Sequence, residues 1–215
     1  MEFLIRRIFH TQGFLHSLWL VLDNAADNDL GFLIYTIGGM PMVSSNFIAR
    51  GISKADGTRD AVEITRQQLR VTRDLLHKCD LSDPTTDYIT RLDRTSTRFG
   101  RAFYHVQSAR HSNDLGMKLV GYCSAAESLF LSSQGELMHQ LSERLACFLE
   151  KPGASRVDTY RRFKREYNFR SRVTHGAAIA PKELTEVKQL SLVCDEFLRR
   201  AIRRLLDEGV ESANF

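Results

Sequence analysis

The chain has 215 residues, 43% of them hydrophobic and 26% charged, with only 4 prolines and no low-complexity tract. That composition argues against a disordered chain and predicts one main domain with a smaller N-terminal extension. Thirty Lys and Arg against 26 Asp and Glu leave a net charge of +4, so any argument from charge rests on where the arginines cluster.

The cysteines Cys79, Cys123, Cys147 and Cys194 lie far apart with no CxxC or Cys/His cluster, which argues against a zinc site and fits reduced thiols in a cytoplasmic protein. No metal or other cofactor is expected. The longest uncharged N-terminal run, Ile8 to Leu22, is broken by His10, Gln12 and His16, too short and polar for a membrane span and a poor signal peptide.

Taken in chain order, Leu4, Ile5, Ile8, Phe14, Leu15, Leu18, Trp19 and Leu22 recur at roughly helical spacing, and the polar run from Asp23 closes that first helix. From Gly31 to Gly57 the texture changes to short apolar runs around Gly38-Gly39 and Pro41, which predicts two strands joined by a turn. After Gly57 helices are expected over 60–79, 84–111, 114–132, 135–149, 156–175 and 182–208. Asp83-Pro84 reads as a helix start, Pro152-Gly153 as a break, and Gly176 with Pro181 as the bounds of a loop.

Leu115, Leu119, Tyr122, Cys123, Ala126, Leu129 and Phe130 make one apolar stripe, and Leu184, Val187, Leu190, Cys194, Phe197, Ala201, Ile202 and Leu205 another. Stripes of this width need helical partners. The expectation is a mainly α protein: an antiparallel helical bundle over 59–210, with an N-terminal helix and two-stranded extension over 1–58.

Seven basic residues against Asp158 and Glu166 make Arg156 to Arg172 the most basic segment, with Arg161, Arg162, Arg165 and Arg172 as candidate RNA-binding residues. It ends in Tyr167-Asn168-Phe169-Arg170-Ser171-Arg172-Val173-Thr174-His175-Gly176. Metal-free cleavage of an RNA phosphodiester needs a group to take the 2′-hydroxyl proton, charge stabilisation at the phosphorane-like transition state, and a proton for the leaving 5′-oxygen. An imidazole and a permanently charged guanidinium supply the first two, and a second copy across a symmetric dimer supplies the third.

On an ideal helix Arg170 and His175 lie about 140° apart, whereas Ser171 and His175 share a face, so Arg170 and His175 converge only if the helix end distorts or a second protomer completes the pocket. Ser171 is placed to bond His175 or phosphate, and Tyr167 to line the cleft. Gly176 is expected to end the helix, leaving His175 where the dipole favours the imidazolium. The plainer reading remains open: His175 simply ends a helix and Arg170 is a solvated or ion-paired residue.

The same stretch resembles the Arg-x4-6-His signature of the HEPN superfamily, and its Tyr-x-x-Arg-Ser-x-x-x-His-Gly form is similar to the Apea-like HEPN group. Leu115 to Lys118, Ala125 to Phe130 and Leu141 to Ala146 resemble the preceding helices of that group, so the likeness covers about residues 85–208. The resemblance implies a helical bundle that homodimerises with its Arg/His helices facing each other, and a metal-independent endoribonuclease leaving 2′,3′-cyclic phosphate ends. It implies Arg170 and His175 as the catalytic pair, and Glu127 as an acidic residue orienting Arg170; an ordinary helix salt bridge is the alternative for Glu127. Ser171 stands where many members carry Asn, Asp or His.

RNA is the implied partner, with an antitoxin or sensor protein as a further one, in phage defence or toxin-like growth control. Members of the group can carry an additional sensing domain, so the chain reads equally as a standalone protein or as part of a longer one. The competing reading is a non-catalytic nucleotide-binding or dimerisation module. Two further basic rows, Arg91, Arg94, Arg98, Arg101 with His105, and Arg66, Arg70, Arg73 with His77, read either as phosphate-tracking stripes or as solvated helix faces.

Overall fold

The computed structural model describes residues 2–28, 30–47, 51–78, 97–131 and 137–209. The fold is mainly α, as the apolar stripes predict, with one small antiparallel sheet. In chain order the elements are α1 (Glu2–Trp19), β1 (Leu30–Ile37), β2 (Met40–Phe47), α2 (Arg66–Lys78), α3 (Arg98–His111), α4 (Leu115–Phe130), α5 (Leu137–Leu149), α6 (Ala154–Thr174), a 3-10 turn (Pro181–Glu183) and α7 (Leu184–Glu208). The expected Asp83-Pro84 helix start, Arg91, Arg94 and Cys79 lie outside the described residues. Among the described residues no helix is long and apolar enough to cross a membrane.

Contacts divide the described residues into two compact units, one within Met1–Ile52 and Asp60–Asp87, the other within Ser53–Arg59 and Tyr88–Phe215. In the first, α2 packs on α1, and the base of the β1–β2 hairpin also rests on α1. A Cβ on Gly31 would meet the Ile8 and Leu4 side chains at 2.8–3.0 Å, so that glycine lets the strand lie directly on the helix. The strands are joined through Gly38 (φ 57°) and Gly39 (φ 82°), the two positive φ angles that a two-residue hairpin turn of the right twist requires.

In the second unit α4 is the hub, packing against α3, α5, α6 and α7. Its apolar residues Leu119, Tyr122, Cys123, Ala126, Leu129 and Phe130 are fully buried, which is why the stripe is wider than a surface helix would carry. Asp114 starts α4 by accepting the Met117 N–H at 2.8 Å, and Thr97 starts α3 by accepting the Gly100 N–H at 2.9 Å. Where α3 crosses α4, Gly121 allows near contact: a Cβ there would sit 2.8 Å from that of Ala109 and 3.1 Å from the His105 carbonyl oxygen.

The short stretch Ser53–Arg59 is stitched into this unit by polar groups. Ser53 donates its N–H to the Arg110 carbonyl at 3.0 Å, Ser191 donates to the Ala55 carbonyl at 2.5 Å, and the buried Lys118 ammonium donates to the Ala109 carbonyl at 3.0 Å. Such pairing is what makes burial of a lysine tolerable.

Candidate functional site

Helix α6 buries Thr159, Phe163, Glu166 and Tyr167 along one side at spacings of three and four residues, and Arg170 continues that side one turn further. The direction in which Arg170 points is therefore set by the core-packing residues that precede it. Opposite lies Glu127 on α4. The Arg170 Nη2 is 3.2 Å from Glu127 Oε1, and both side chains keep only about a quarter of their surface exposed, 24% and 23%. The same carboxylate oxygen accepts the Tyr167 hydroxyl at 2.7 Å.

The Arg170 guanidinium also stands over the Tyr167 ring, 5.1 Å from its centroid, within cation–π range. Tyr167, Glu127 and Arg170 thus form one closed network in a partly desolvated corner. Burial, followed by the hydrogen bond and the charge of Glu127, pushes the Tyr167 phenol well up from its ordinary value, so it stays a proton donor to that carboxylate. Among the described residues the buried Arg170 Nε has no hydrogen-bond partner, an unfilled donor on a group otherwise held in place.

His175 lies where α6 ends. The Gly176 N–H donates to the Val173 carbonyl at 3.0 Å and the Ala177 N–H to the Arg172 carbonyl at 2.9 Å, while Gly176 takes φ 82°. These two bonds and the left-handed glycine are a Schellman cap, which fixes His175 as the last residue of the turn. Its imidazole is exposed, and among the described residues it makes no side-chain hydrogen bond.

The helix stays regular through Thr174, so Arg170 and His175 diverge within one chain: one turns into the Glu127 corner, the other faces solvent. No bond joins the Ser171 hydroxyl to His175; what links them is the His175 N–H donated to the Ser171 carbonyl at 3.1 Å.

The four arginines singled out for RNA differ in their surroundings. Arg162 pairs with Asp158 at 2.8 Å, Arg165 with Glu186 at 2.5 Å, and Arg172 with Glu183 through two bonds of 2.9 and 3.2 Å, its guanidinium 4.8 Å from the Phe169 ring centroid. The Arg172 hydrogen bonds, with that from the Ala180 N–H, draw the Glu183 carboxyl below its ordinary range. Arg161 is exposed and makes no ion pair among the described residues.

His105 is the residue near this site whose role the sequence conceals. At the end of an apparent cationic row on α3, it is half-buried and within electrostatic reach of Glu127. Burial lowers its pKa, partly opposed by that carboxylate, so it is neutral near pH 7. Within the same row, Arg98 donates to the Leu131 carbonyl. Tyr104 and His105, adjacent in sequence, meet edge to face at 5.7 Å.

No family model matches the chain, and no curated protein or solved structure is significantly similar to it.

Proposed function

We propose that the protein is a HEPN-type, metal-independent endoribonuclease that works as a homodimer on single-stranded or looped RNA in the cytoplasm. The observation that carries the reading is the contrast along the last turn and a half of α6: Arg170 is anchored by Glu127 and Tyr167, while His175 is displayed at the capped helix end. An anchored cation and an accessible imidazole are the two groups that cleavage by the 2′-hydroxyl demands.

In this mechanism one His175 takes the 2′-hydroxyl proton, the 2′-oxygen attacks phosphorus, and the 5′-oxygen leaves with a proton from His175 of the second copy. Arg170 offsets the charge gathered on the phosphorane-like oxygens. Because the two side chains diverge within one chain, the pair closes on a phosphate between two copies. Arg161, exposed and without an ion pair among the described residues, offers its charge to the RNA backbone, whereas Arg162, Arg165 and Arg172 have to exchange carboxylate partners for phosphate.

The biological setting that fits is phage defence or toxin-like growth control, with an antitoxin or sensor as regulator. The test is chemical: cleaved RNA should carry 2′,3′-cyclic phosphate ends, and a single 2′-deoxy substitution at the cleaved nucleotide should abolish the cut. Cleavage of the deoxy substrate at an equal rate would overturn the mechanism. A second reading, a non-catalytic binding or dimerisation module, is favoured by the tight Glu127–Arg170 pair, since a guanidinium held this way is also a sound structural element.

A further inference from the structure

The hairpin β1–β2 carries no charged residue from Leu30 to Phe47, yet it is the most exposed apolar part of the described chain. On β1, Leu30, Phe32, Ile34, Tyr35 and Ile37 are all exposed, Ile34 by 75%; on β2, Met40, Met42 and Val43 are exposed too, Met40 by 67%. Only the base of the hairpin rests on α1, so its distal half is apolar on both faces. Together these side chains present on the order of 800 Å² of apolar surface, above the roughly 300–600 Å² of the largest patch on a typical monomer and near one partner's share of a standard interface.

The backbone identifies the occupant. The sheet has two strands, so among the described residues each strand has one unpaired edge. The two-residue turn is closed by the pair Ile37–Met40, and ladder alternation then makes Thr36–Pro41 a pair whose N–H positions face outward. On β2 that outward donor is missing, because Pro41 has no N–H. Val43, Ser45 and Phe47 keep theirs, so the β2 edge is blunted at its turn end, where the proline stands.

On β1 the same alternation turns the N–H and C=O of Leu30, Phe32, Ile34 and Thr36 outward, with no proline or charge to discourage pairing. An edge open along its whole length beside one blunted at its turn end favours pairing through β1, and a strand that pairs antiparallel with its own copy about a two-fold axis closes the assembly at two copies. A hairpin of only two strands is also marginal alone and gains from added strands.

We infer that β1 pairs antiparallel with β1 of a second copy, making a four-stranded intermolecular sheet in the order β2–β1–β1–β2 and aligning Phe32 and Ile34 of both copies side by side. This holds whether or not Arg170 and His175 cleave RNA, and it assigns the hairpin as a self-association element.

Sedimentation of the full chain over a range of concentrations tests it, with Ile34→Lys on β1 and Val43→Lys directly across from it on β2. Both sites are exposed, and circular dichroism and melting check that both variants remain folded. The wild type should be dimeric, Ile34→Lys should raise the dimer dissociation constant at least tenfold, and Val43→Lys should leave it within about threefold.

A monomeric wild type, a dimer indifferent to Ile34→Lys, or equal disruption by Val43→Lys overturns the edge pairing, the last result pointing to face-to-face packing instead. A monomer that floats with anionic phospholipid vesicles would overturn it as well and assign the hairpin to a lipid surface.

Discussion

Glu127 holds Arg170 at 3.2 Å from a different helix and from 43 residues away in sequence. The carboxylate therefore fixes the end of a side chain that the packed face of α6 aims toward it. Replacing it in Glu127→Gln keeps the shape and a hydrogen-bond acceptor for Tyr167 but removes the charge that anchors Arg170. RNA cleavage should fall about tenfold to a hundredfold, equivalent to about 1.4–2.8 kcal/mol of transition-state stabilisation, with a much smaller change in RNA affinity. Single-turnover kinetics with a binding titration separates the two.

Tyr167→Phe deletes the 2.7 Å donation to Glu127 while keeping the ring under the Arg170 cation. A stability loss of about 1 kcal/mol in chemical denaturation is expected, because one partly buried acceptor loses a neutral donor and the packing is unchanged. A loss above about 3 kcal/mol would mean that the hydroxyl anchors more than this network.

Gly121→Ala tests the α3–α4 crossing. The added methyl meets Ala109 and the His105 backbone, neither of which can swing aside as a long side chain would. Overpacking of about 1–3 kcal/mol should outweigh the roughly 1 kcal/mol that alanine gains over glycine in a helix. Net destabilisation should appear as a lowered Tm, and the shift of α3 should also alter the setting of His105 opposite Glu127.

Glu166 is fully buried on α6, and among the described residues neither carboxyl oxygen has a hydrogen-bond partner. Burial raises its pKa well above the ordinary 4.5, only partly opposed by the adjacent Cys194 thiol and the Arg162 charge. The folded state therefore holds a proton that the unfolded state releases. Stability linked to this group is complete below about pH 4.5 and is lost as pH rises toward the raised folded value.

Glu166→Gln removes that linkage while keeping the shape. The variant should match the wild type near pH 4 and exceed it by about 1–3 kcal/mol near pH 8, a difference that melting curves across pH would read directly.

Most helices of the bundle and the hairpin were legible because their signals are local, but the helix expected over 84–111 is broken at Thr97, whose extended backbone and side chain cap α3. Apolar residues at helical spacing marked α4 and α7, the Pro152-Gly153 break separated α5 from α6, and Gly38-Gly39 marked the turn. Placing Gly176 at the end of α6 was equally direct, since a left-handed cap favours glycine.

What depends on distant contacts was not legible. Nothing in the sequence shows that Ser53–Arg59 is tied to Arg110, Lys118 and Ser191, since those bonds span 57 to 136 residues. The arginines of α6 were ambiguous for the same reason: Glu183 and Glu186, which pair with Arg172 and Arg165, come from other segments. His105 carries the same lesson. Its spacing put it in a cationic stripe, and only the crossing at Gly121 brings its helix against the one that bears Glu127.

The central claim is tested most directly by incubating a labelled mixed-sequence RNA in excess EDTA with wild type and with His175→Ala at matched concentration, after showing that both are folded dimers. The account predicts cleavage by the wild type, with cyclic phosphate ends, and loss of at least a hundredfold in the variant. Equal cleavage by both proteins, or none by either, would contradict it.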